Sequence, residues 1–363
     1  MTPDACACPY EKVTAAQKWS DAVIGVPDDR LNPHLPARFR LDRAMKIASA
    51  GSCFAQRISE SLTAQGFNYF VTEPCPQWLA ADRAKDYGYG VFSARYGNLY
   101  TPLQLVQLVQ RALGIFKPEE RAWSGKNDRW FDPFRPRIQP KGFTSEAELD
   151  ADREYHLQAV RSLLEGLDVF VFTLGMTEAW RSRSDGAVFP ICPGCVAGTY
   201  SPEAYEFHNF SAAEISEHLN QFFQLLAGIN PQARVILTVS PVPLMATMTD
   251  RHVLQATTYS KAALRVAAEE AVRRHAHVDY FASYEIITAT RNTHRYFDAD
   301  KRSVTPAGVA HVMDAFFRHY VGQERAEVRS TTATTSTESS ETDLVCDELA
   351  MFEAIGNRRK EAA

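Results

Sequence analysis

The sequence lacks the features that would assign it to a membrane, secreted or nucleic-acid-binding class. No apolar run in its 363 residues approaches the roughly 18 residues of a membrane-spanning helix. The first residues show no basic head followed by an apolar stretch, the pattern of a secretory signal. Lys and Arg total 39 against 44 Asp and Glu, a net charge of −5, which disfavours a nucleic-acid groove or a polybasic membrane surface. We therefore expect a cytoplasmic protein that binds neither nucleic acid nor membrane.

Cysteine is scarce as well. The seven cysteines are odd in number and scattered, which disfavours a disulfide framework. Cys192 and Cys195 form one Cys-x-x-Cys pair, but a structural zinc site needs two more soft ligands and no second pair exists. A Pro-Gly turn with two ordinary cysteines is the simpler interpretation, and a redox or metal role is the weaker alternative. We expect no metal and no cofactor.

Continuous apolar runs alternate with segments of helical periodicity along most of the chain. Strands are predicted at 45–51, 67–74, 168–175, 233–243 and 278–287. Helices are predicted at 54–67, 101–116, 146–167, 211–230, 260–276 and 305–321, with Ser260 as a helix cap. Buried parallel strands covered by helices on both faces produce this pattern. We predict an α/β three-layer sandwich with a mostly parallel sheet, whose ligand site lies at the carboxyl ends of the strands.

Composition divides the chain into three parts. Residues 1–43 read as an N-terminal arm and residues 44–322 as the core domain. Within the core, the polar and aromatic stretch 117–150 is predicted to be an inserted lid or hairpin, and 176–210 a loop. Residues 323–363 are rich in Ser, Thr and Glu and are predicted to be disordered. Their short amphipathic segment at 343–357 either docks back on the core or stays free.

The strongest candidate for chemistry is Gly51-Ser52-Cys53. A predicted strand ends in glycine, two nucleophilic side chains follow, and a helix begins. The amides and dipole at a helix N-terminus favour a thiolate and can hold an oxyanion. The plainer alternative is that Ser52 caps the helix and Cys53 fills the core.

Gly51-Ser52-Cys53-Phe54-Ala55 is also the string that names the GSCFA family. Further matching segments follow in order at 96–101, 173–180, 238–242, 260–261 and 280–285, so that residues 47 to 317 resemble this family. The family is in turn similar to the SGNH, or GDSL-type, hydrolases. These are three-layer α/β esterases and bacterial-type enzymes that modify O-acyl groups of polysaccharides.

The resemblance implies roles for individual residues. The nucleophile position of the hydrolases falls on Cys53, or on Ser52 if the register differs by one. An oxyanion-hole amide falls on Gly97, which Asn98 follows. The third sequence block of the hydrolases falls on 175–178, and its oxyanion asparagine is replaced by threonine. The residues implied in that block are Gly175, Thr177 and Glu178.

The last block departs from the hydrolase pattern. Where the hydrolases have Asp-x-x-His, this sequence has Asp300 and then Ser303, so the triad histidine is missing. His252 is the first choice as a replacement base, because its loop follows a core strand, and His208 is the second. Asp300 would then orient the imidazole.

Two functions remain open at this point. The leading hypothesis is an SGNH-like acyl hydrolase or acyltransferase acting on a small-molecule or glycan acyl substrate, with acylated sugars as one class. The alternative is a non-catalytic glycan- or acyl-binding protein that kept the fold and lost the histidine. The sequence carries no signal for an oligomeric state.

Overall fold

A computed structural model describes residues 8–34, 36–289, 292–321 and 347 of the chain. Short 3₁₀ and π turns precede the first strand. The strands are β1 (Ile47–Gly51), β2 (Trp123–Ser124), β3 (Trp130–Phe131), β4 (Val169–Leu174), β5 (Glu178–Ser182), β6 (Val188–Phe189), β7 (Tyr205–Asn209), β8 (Arg234–Val239) and β9 (Val278–Phe281). The helices are α1 (Cys53–Ala64), α2 (Ala81–Ala84), α3 (Pro102–Ala112), α4 (Glu146–Gly166), α5 (Ala212–Ile229), α6 (Val253–Arg274), α7 (Ser283–Thr288), α8 (Thr293–Tyr296) and α9 (Pro306–Tyr320).

The central sheet contains four parallel strands in the order β1-β4-β8-β9. Gly51 pairs with Thr173, Thr173 with Thr238, and Thr238 with Phe281. This row of paired residues lies at the carboxyl ends of the strands. All four strands therefore end at one edge of the sheet, and the prediction of a mostly parallel sheet is confirmed.

Helices cover both faces of the sheet. Phe170 and Phe172 of β4 pack in one core cluster with residues of α3, α4, α5 and α6. Val169 and Val171 pack in a second cluster with residues of α1, α7 and α9. The split follows from the alternation of side chains along a strand. The three-layer prediction is confirmed, and no helix in the described ranges is long and apolar enough to cross a bilayer.

A second, antiparallel sheet lies between β4 and α5 in the sequence, in the order β6-β5-β7. The prediction of a loop over 176–210 is therefore wrong. These strands are short and are separated by glycine- and proline-rich turns, so the sequence shows no clear strand periodicity here. Aromatic contacts stabilise the sheet, such as those of Trp180 with Phe207 and of Phe189 with Tyr205.

The inserted stretch 117–150 contains the antiparallel pair β2–β3. Of the two predicted alternatives, a lid or a hairpin, this pair agrees with the hairpin. Trp123 and Phe134 from this stretch pack against Phe189 of the second sheet. Because Trp123 is only 2% exposed, its ring belongs to a core.

Three further elements differ from the predictions. The 67–74 run is not a strand. It contacts β1 through a parallel bridge between Tyr69 and Ile47 and a 2.8 Å hydrogen bond between the hydroxyls of Tyr69 and Ser49. The run after Val278 divides into β9 and α7. Helix α6 begins seven residues before Ser260, so Ser260 lies inside the helix and His252 takes the N-cap position. The prediction of a cap at Ser260 is wrong.

The arm before β1 packs on the last helix and the end of β9. The ring of His34 stacks on Phe281 at 4.6 Å, and the amide of Arg38 donates to the Asp279 carboxylate at 3.1 Å. The amide of Leu41 donates to the carbonyl of Tyr320 at 2.9 Å. The predicted disorder of 323–363 lies outside the described residues, except at Asp347, which is buried.

Candidate active site

Cys53 is the first residue of α1, directly after the end of β1. The turn between them depends on Gly51, which has a φ of +143°. A Cβ at Gly51 would lie 2.4 Å from the carbonyl oxygen of Thr173, closer than any side chain tolerates. Glycine therefore lets β1 run against β4 up to its last residue and delivers Cys53 to the carboxyl edge of the sheet.

Ser52 occupies the N-cap position of α1 without capping it. Its hydroxyl accepts no hydrogen bond from the helix amides, and within the described residues this buried oxygen has no hydrogen-bond partner at all. The Ser52 side chain thus satisfies none of the first amides of α1, although the Ser52 carbonyl accepts from the Ala55 amide at 2.8 Å. The N-terminus of the helix places a partial positive charge next to Cys53. Ser52 therefore occupies the N-cap position, as the plainer alternative expects, but its side chain does not make the expected capping hydrogen bond.

Three segments that are distant in sequence meet at this point. The amide of Leu99 donates to the carbonyl of Gly51 at 2.9 Å, and the carbonyl of Tyr100 accepts from the amides of Gly175 and Met176 at 2.9 and 3.2 Å. Together with the loop after β8 they border a small, partly open space with a free volume of about 10 Å³, which we call the nucleophile cavity. Its lining residues are Ser52, Cys53, Tyr100, Gly175, Met176, Ser240, Val242, Pro243 and Leu244.

Two neighbouring side chains of α6 hold the loop after β4 from behind. The ammonium of Lys261 donates to the carbonyl of Gly175 at 2.6 Å, and the Ser260 hydroxyl accepts from the amide of Thr177 at 3.0 Å. Lys261 is 2% exposed. A Cβ at Gly175 would lie 3.2 Å from the Cβ of Ser52. Gly175 therefore contacts both the ammonium of Lys261 and the turn between β1 and α1.

Thr177 and Glu178 have their polar groups committed elsewhere. The hydroxyl of Thr177 donates to Asn209 at 2.6 Å, and a hydroxyl has a single proton to donate. Thr177 does not line the nucleophile cavity, so the structure does not present its hydroxyl to an oxyanion there. Glu178 accepts from the Thr247 hydroxyl at 2.6 Å and from the Met248 amide at 3.4 Å, which anchors the loop after β8.

Gly97 and Asn98 line a second depression, which we call the side groove. It is bordered by Lys85, Asp86, Gly88, Val91, Phe92, Phe134–Ile138, Pro190 and Asp347. The side-chain oxygen of Asn98 accepts from the Gln56 amide at 3.4 Å. Its side-chain nitrogen donates to the Asp347 carboxylate at 2.9 Å. Gln56 thus orients the Asn98 amide so that its N–H group faces the groove.

The 300–303 loop reaches the edge of the nucleophile cavity through Arg302, whose Nε donates to the carbonyl of Pro243 at 3.1 Å. The Ser303 hydroxyl and amide both donate to the carboxylate of Asp300. Partial burial raises the pKa of Asp300, but the hydrogen bonds from Ser303 and from the Arg302 amide outweigh it and lower that pKa below its ordinary value. Asp300 therefore holds its own loop, and no imidazole is bound to it.

Neither histidine predicted as a base lines the nucleophile cavity. The Nδ1 of His252 accepts from the amide of Leu254 at 3.2 Å, at the exposed start of α6. His208 on β7 pairs with Glu214 at 2.7 Å. Burial opposes ionisation of Glu214, but hydrogen bonds from Ser211 and His208 lower its pKa to about 2. All ten histidines lie within the described residues, and none borders this cavity.

Comparison with known families identifies the chain once this geometry is known. The sequence profile described as the GSCFA family matches residues 46–316. The chain belongs to the GSCFA family. The matched region covers the central sheet and its covering helices up to α9, and it includes every segment that borders the nucleophile cavity. None of the curated proteins compared with the chain is similar enough to count as a relative.

The Cys-x-x-Cys pair of this GSCFA protein forms a turn. The amide of Cys195 donates to the carbonyl of Cys192 at 3.1 Å, with Gly194 between them at a φ of +92°. Within the described ranges, no group of three or more His, Cys, Asp or Glu side chains is arranged to hold a metal ion.

Sequence reasoning missed three side chains of the GSCFA site. Lys261 carries no signal of its own, because neighbouring residues on a helix are expected to point apart, yet Ser260 and Lys261 both reach the loop after β4. Tyr100 carried no signal beyond its place in a matching segment. Asp347 belongs to the segment predicted either to dock or to stay free, and at this residue the chain contacts the core.

Proposed function

We propose that this GSCFA protein transfers or hydrolyses an acyl group with Cys53 as the nucleophile. The observation that carries the proposal is the position of Cys53, which begins a helix at a cavity built from four separate segments of the matched region. A thiol at a helix N-terminus is favoured as thiolate. Oxygen esters of small molecules or of sugars and glycans are the substrate class that the resemblance to SGNH hydrolases implies.

The reaction has two steps. The thiolate of Cys53 attacks the carbonyl carbon of the ester, and the electron pair of the C=O bond moves to the oxygen. Collapse of this tetrahedral species breaks the ester C–O bond, leaves a thioester on Cys53 and releases an alcohol that takes its proton from solvent. Water or a second hydroxyl then attacks the thioester, loses its proton to solvent, and restores the thiolate.

The oxyanion formed in both steps needs hydrogen-bond donors. The amide of Cys53 is at the N-terminus of α1 and is the donor that we propose, whereas Gly97 lines the side groove and does not border the nucleophile cavity. Asn98 serves as a substrate-binding donor rather than an oxyanion donor. The left-handed φ of +69° at Gly97 is a conformation that glycine adopts without strain, and it turns the chain tightly just before Asn98.

The lack of an imidazole at the nucleophile cavity favours acyl transfer over hydrolysis in this proposal. Without a general base at the cavity, water attacks the thioester slowly, and an acceptor with a more acidic or better-placed hydroxyl competes well. The Lys261 ammonium donates to the carbonyl of Gly175, a residue that borders the nucleophile cavity, so in this proposal its positive charge favours negative charge in the cavity. Acyl transfer is therefore the better proposal of the two.

A binding protein is the second candidate, and one observation favours it. No imidazole borders the cavity, and the aspartate and serine of the last block bond to each other. A protein with this site would hold an acylated ligand without turning it over.

The decisive experiment is a burst assay with an aryl acetate, followed by mass spectrometry of the peptide that contains Cys53. We expect a stoichiometric release of phenolate and an acetylated Cys53. Cys53→Ala should lose both signals, and Cys75→Ala, which removes an exposed cysteine, should keep them.

Ser52→Ala separates the two nucleophile candidates. If Cys53 is the nucleophile, this variant retains the burst. If Cys53→Ala retains the burst and Ser52→Ala loses it, the nucleophile is Ser52. If the parent protein shows no acyl-enzyme and Cys53 alkylates no faster than a free thiol at the same pH, the binding-protein candidate replaces the enzyme.

A further inference from the structure

The hydroxyl of Ser52 is buried beside the nucleophile without a hydrogen bond. Ser52 is 4% exposed and directly precedes Cys53, and both residues line the nucleophile cavity. Within the part of the chain that the structure describes, the side-chain oxygen of Ser52 has no hydrogen-bond partner. Burial of a hydroxyl in this state lowers the stability of the fold. The hydroxyl therefore needs a reason other than stability.

The other two hydroxyls that border the nucleophile cavity are bonded. The Ser240 hydroxyl accepts from the amide of Val242 at 3.3 Å, and the Tyr100 hydroxyl accepts from the amide of Asp347 at 3.2 Å. Ser52 lies at the N-cap position, where a serine usually accepts from a helix amide, yet its side chain makes no such bond. Its hydroxyl proton is therefore available to a molecule that enters the cavity.

The nucleophile cavity has the size of a single oxygen atom. Its free volume of about 10 Å³ is close to the roughly 10–15 Å³ that one water molecule needs. A carbonyl oxygen fits this space, whereas the acyl chain and the alcohol group of an ester have to stay at its open side. The N-terminus of α1, with its partial positive charge, borders the same space. The cavity thus matches the oxyanion of the proposed reaction better than a whole substrate.

We propose that the Ser52 hydroxyl is a catalytic hydrogen-bond donor that binds the oxyanion together with the amide of Cys53. The inference rests on the proposed function, because it completes the oxyanion site of the same reaction. Ser52 keeps its proton throughout and forms no covalent bond. Its hydrogen bond strengthens as the C=O electron pair moves to the oxygen, and it weakens again when the tetrahedral species collapses.

The same surroundings disfavour Ser52 as the nucleophile. A serine hydroxyl needs an adjacent base to attack an ester, and no imidazole borders the cavity. A donor to the oxyanion needs no base, because the neutral hydroxyl carries its proton at any pH near neutrality. The two roles of Ser52 are therefore separable by the amplitude and the rate of acylation.

The test compares acylation with alkylation of Cys53 in the parent and in Ser52→Ala. Attack on an aryl acetate creates an oxyanion, whereas attack on iodoacetamide displaces iodide and creates none. We expect Ser52→Ala to acylate Cys53 about 10²–10³ more slowly. Its alkylation rate, divided by that of the exposed Cys75, should stay close to the parent value. The burst should still become stoichiometric at long times, since Cys53 is intact.

Ser59→Ala is the matched control. Ser59 lies in the same helix, is 2% exposed, and donates from its hydroxyl to the carbonyl of Gln56 at 2.8 Å. Its removal should lower the melting temperature, because this hydrogen bond is lost, and should leave the ratio of acylation to alkylation unchanged. Ser52→Ala should do the reverse. Its melting temperature should equal or exceed that of the parent, because a buried oxygen without a partner is removed.

Three outcomes would overturn the inference alone. If Ser52→Ala acylates as fast as the parent, the hydroxyl is not a donor. If acylation and alkylation slow by the same factor, the hydroxyl acts on the thiol and not on the oxyanion. If Ser52→Ala melts as far below the parent as Ser59→Ala does, the hydroxyl has a structural partner. A parent protein that forms no acyl-enzyme is a different result, which overturns the proposed function and this inference together.

Discussion

The ammonium of Lys261 donates a 2.6 Å hydrogen bond to the carbonyl of Gly175, which is 86 residues away in sequence. The contact places a buried lysine directly behind the loop that packs on Ser52. Lys261 thereby combines two effects, because it fixes the shape of the loop and brings a positive charge to Gly175, which borders the nucleophile cavity. The two effects are separable by substitution.

Lys261→Met keeps the side-chain length and removes the charge and the donor. We expect the unfolding free energy to fall by about 1–3 kcal/mol, because the buried Gly175 carbonyl loses its hydrogen bond. We also expect the midpoint of the pH dependence of Cys53 alkylation to move to higher pH, because a nearby positive charge favours the thiolate. Ser260→Ala is the matched control, since it removes an uncharged contact to the same loop. A purely structural role for Lys261 would leave the midpoint where it is in both variants.

Gly51→Ala should be among the most destabilising single changes in the sheet. The φ of +143° is a conformation that costs other residues about 1–3 kcal/mol, and the new Cβ would overlap the Thr173 carbonyl at 2.4 Å. The measurement is the melting temperature against Gly90→Ala, where φ is +72° and nothing lies within 4 Å of the new Cβ. Equal melting temperatures for the two variants would mean that β1 and β4 do not approach as closely as described.

Thr177→Val tests whether this residue is a donor to the oxyanion or part of the scaffold. Its hydroxyl is bonded to Asn209, so we expect a loss of about 1 kcal/mol in unfolding free energy and little change in acylation of Cys53. An oxyanion donor would behave differently, because its removal costs about 10²–10³ in rate. A rate loss of that size with unchanged stability would restore Thr177 to the active site.

His252→Ala and His208→Ala should both retain the parent pH profile of acylation. The ring of His252 caps α6 and that of His208 pairs with Glu214, so neither side chain is available at Cys53. The measurement is the burst rate between about pH 5 and 9, which spans the imidazole pKa of about 6.5. If either variant loses the acidic limb of the profile, that histidine reaches the site during the reaction and is its base.

The contact of the arm with β9 should weaken in acid. Burial, and then repulsion from His319, lower the pKa of His34 from 6.5 to about 3. Since the folded state disfavours the proton, the stabilisation is complete above pH 6.5 and is lost progressively as the pH falls toward 3. His34→Phe keeps a ring to stack on Phe281 and cannot titrate.

The melting temperatures of the parent and of His34→Phe, followed over that range, check this linkage. The parent should lose more stability than the variant as the pH falls, because other titrating groups near the arm, such as Asp279 and His319, are common to both. A constant difference between the two proteins across this range would contradict it.

Much of the scaffold could be predicted because its causes are local in sequence. Four apolar runs separated by amphipathic segments predict a parallel sheet between two helical layers, and a glycine followed by Ser52 and Cys53 predicts a nucleophile at the edge of that sheet. The serine at position 303, where the resemblance to the SGNH hydrolases expects a histidine, is also read from the sequence alone. The second sheet was missed because its strands are short and are stabilised by aromatic contacts with the 117–150 insertion.

The sequence by itself determined the layer architecture, the position of Cys53 and the lack of histidine at 303, since each depends on neighbouring residues or on periodicity. Only the tertiary structure decided which side chains surround Cys53. It brought Lys261 to Gly175 and Asp347 to Asn98, and it kept all ten histidines away from the nucleophile cavity. Such contacts join residues far apart in the chain, and their formation depends on the packing of helices that local propensity does not specify.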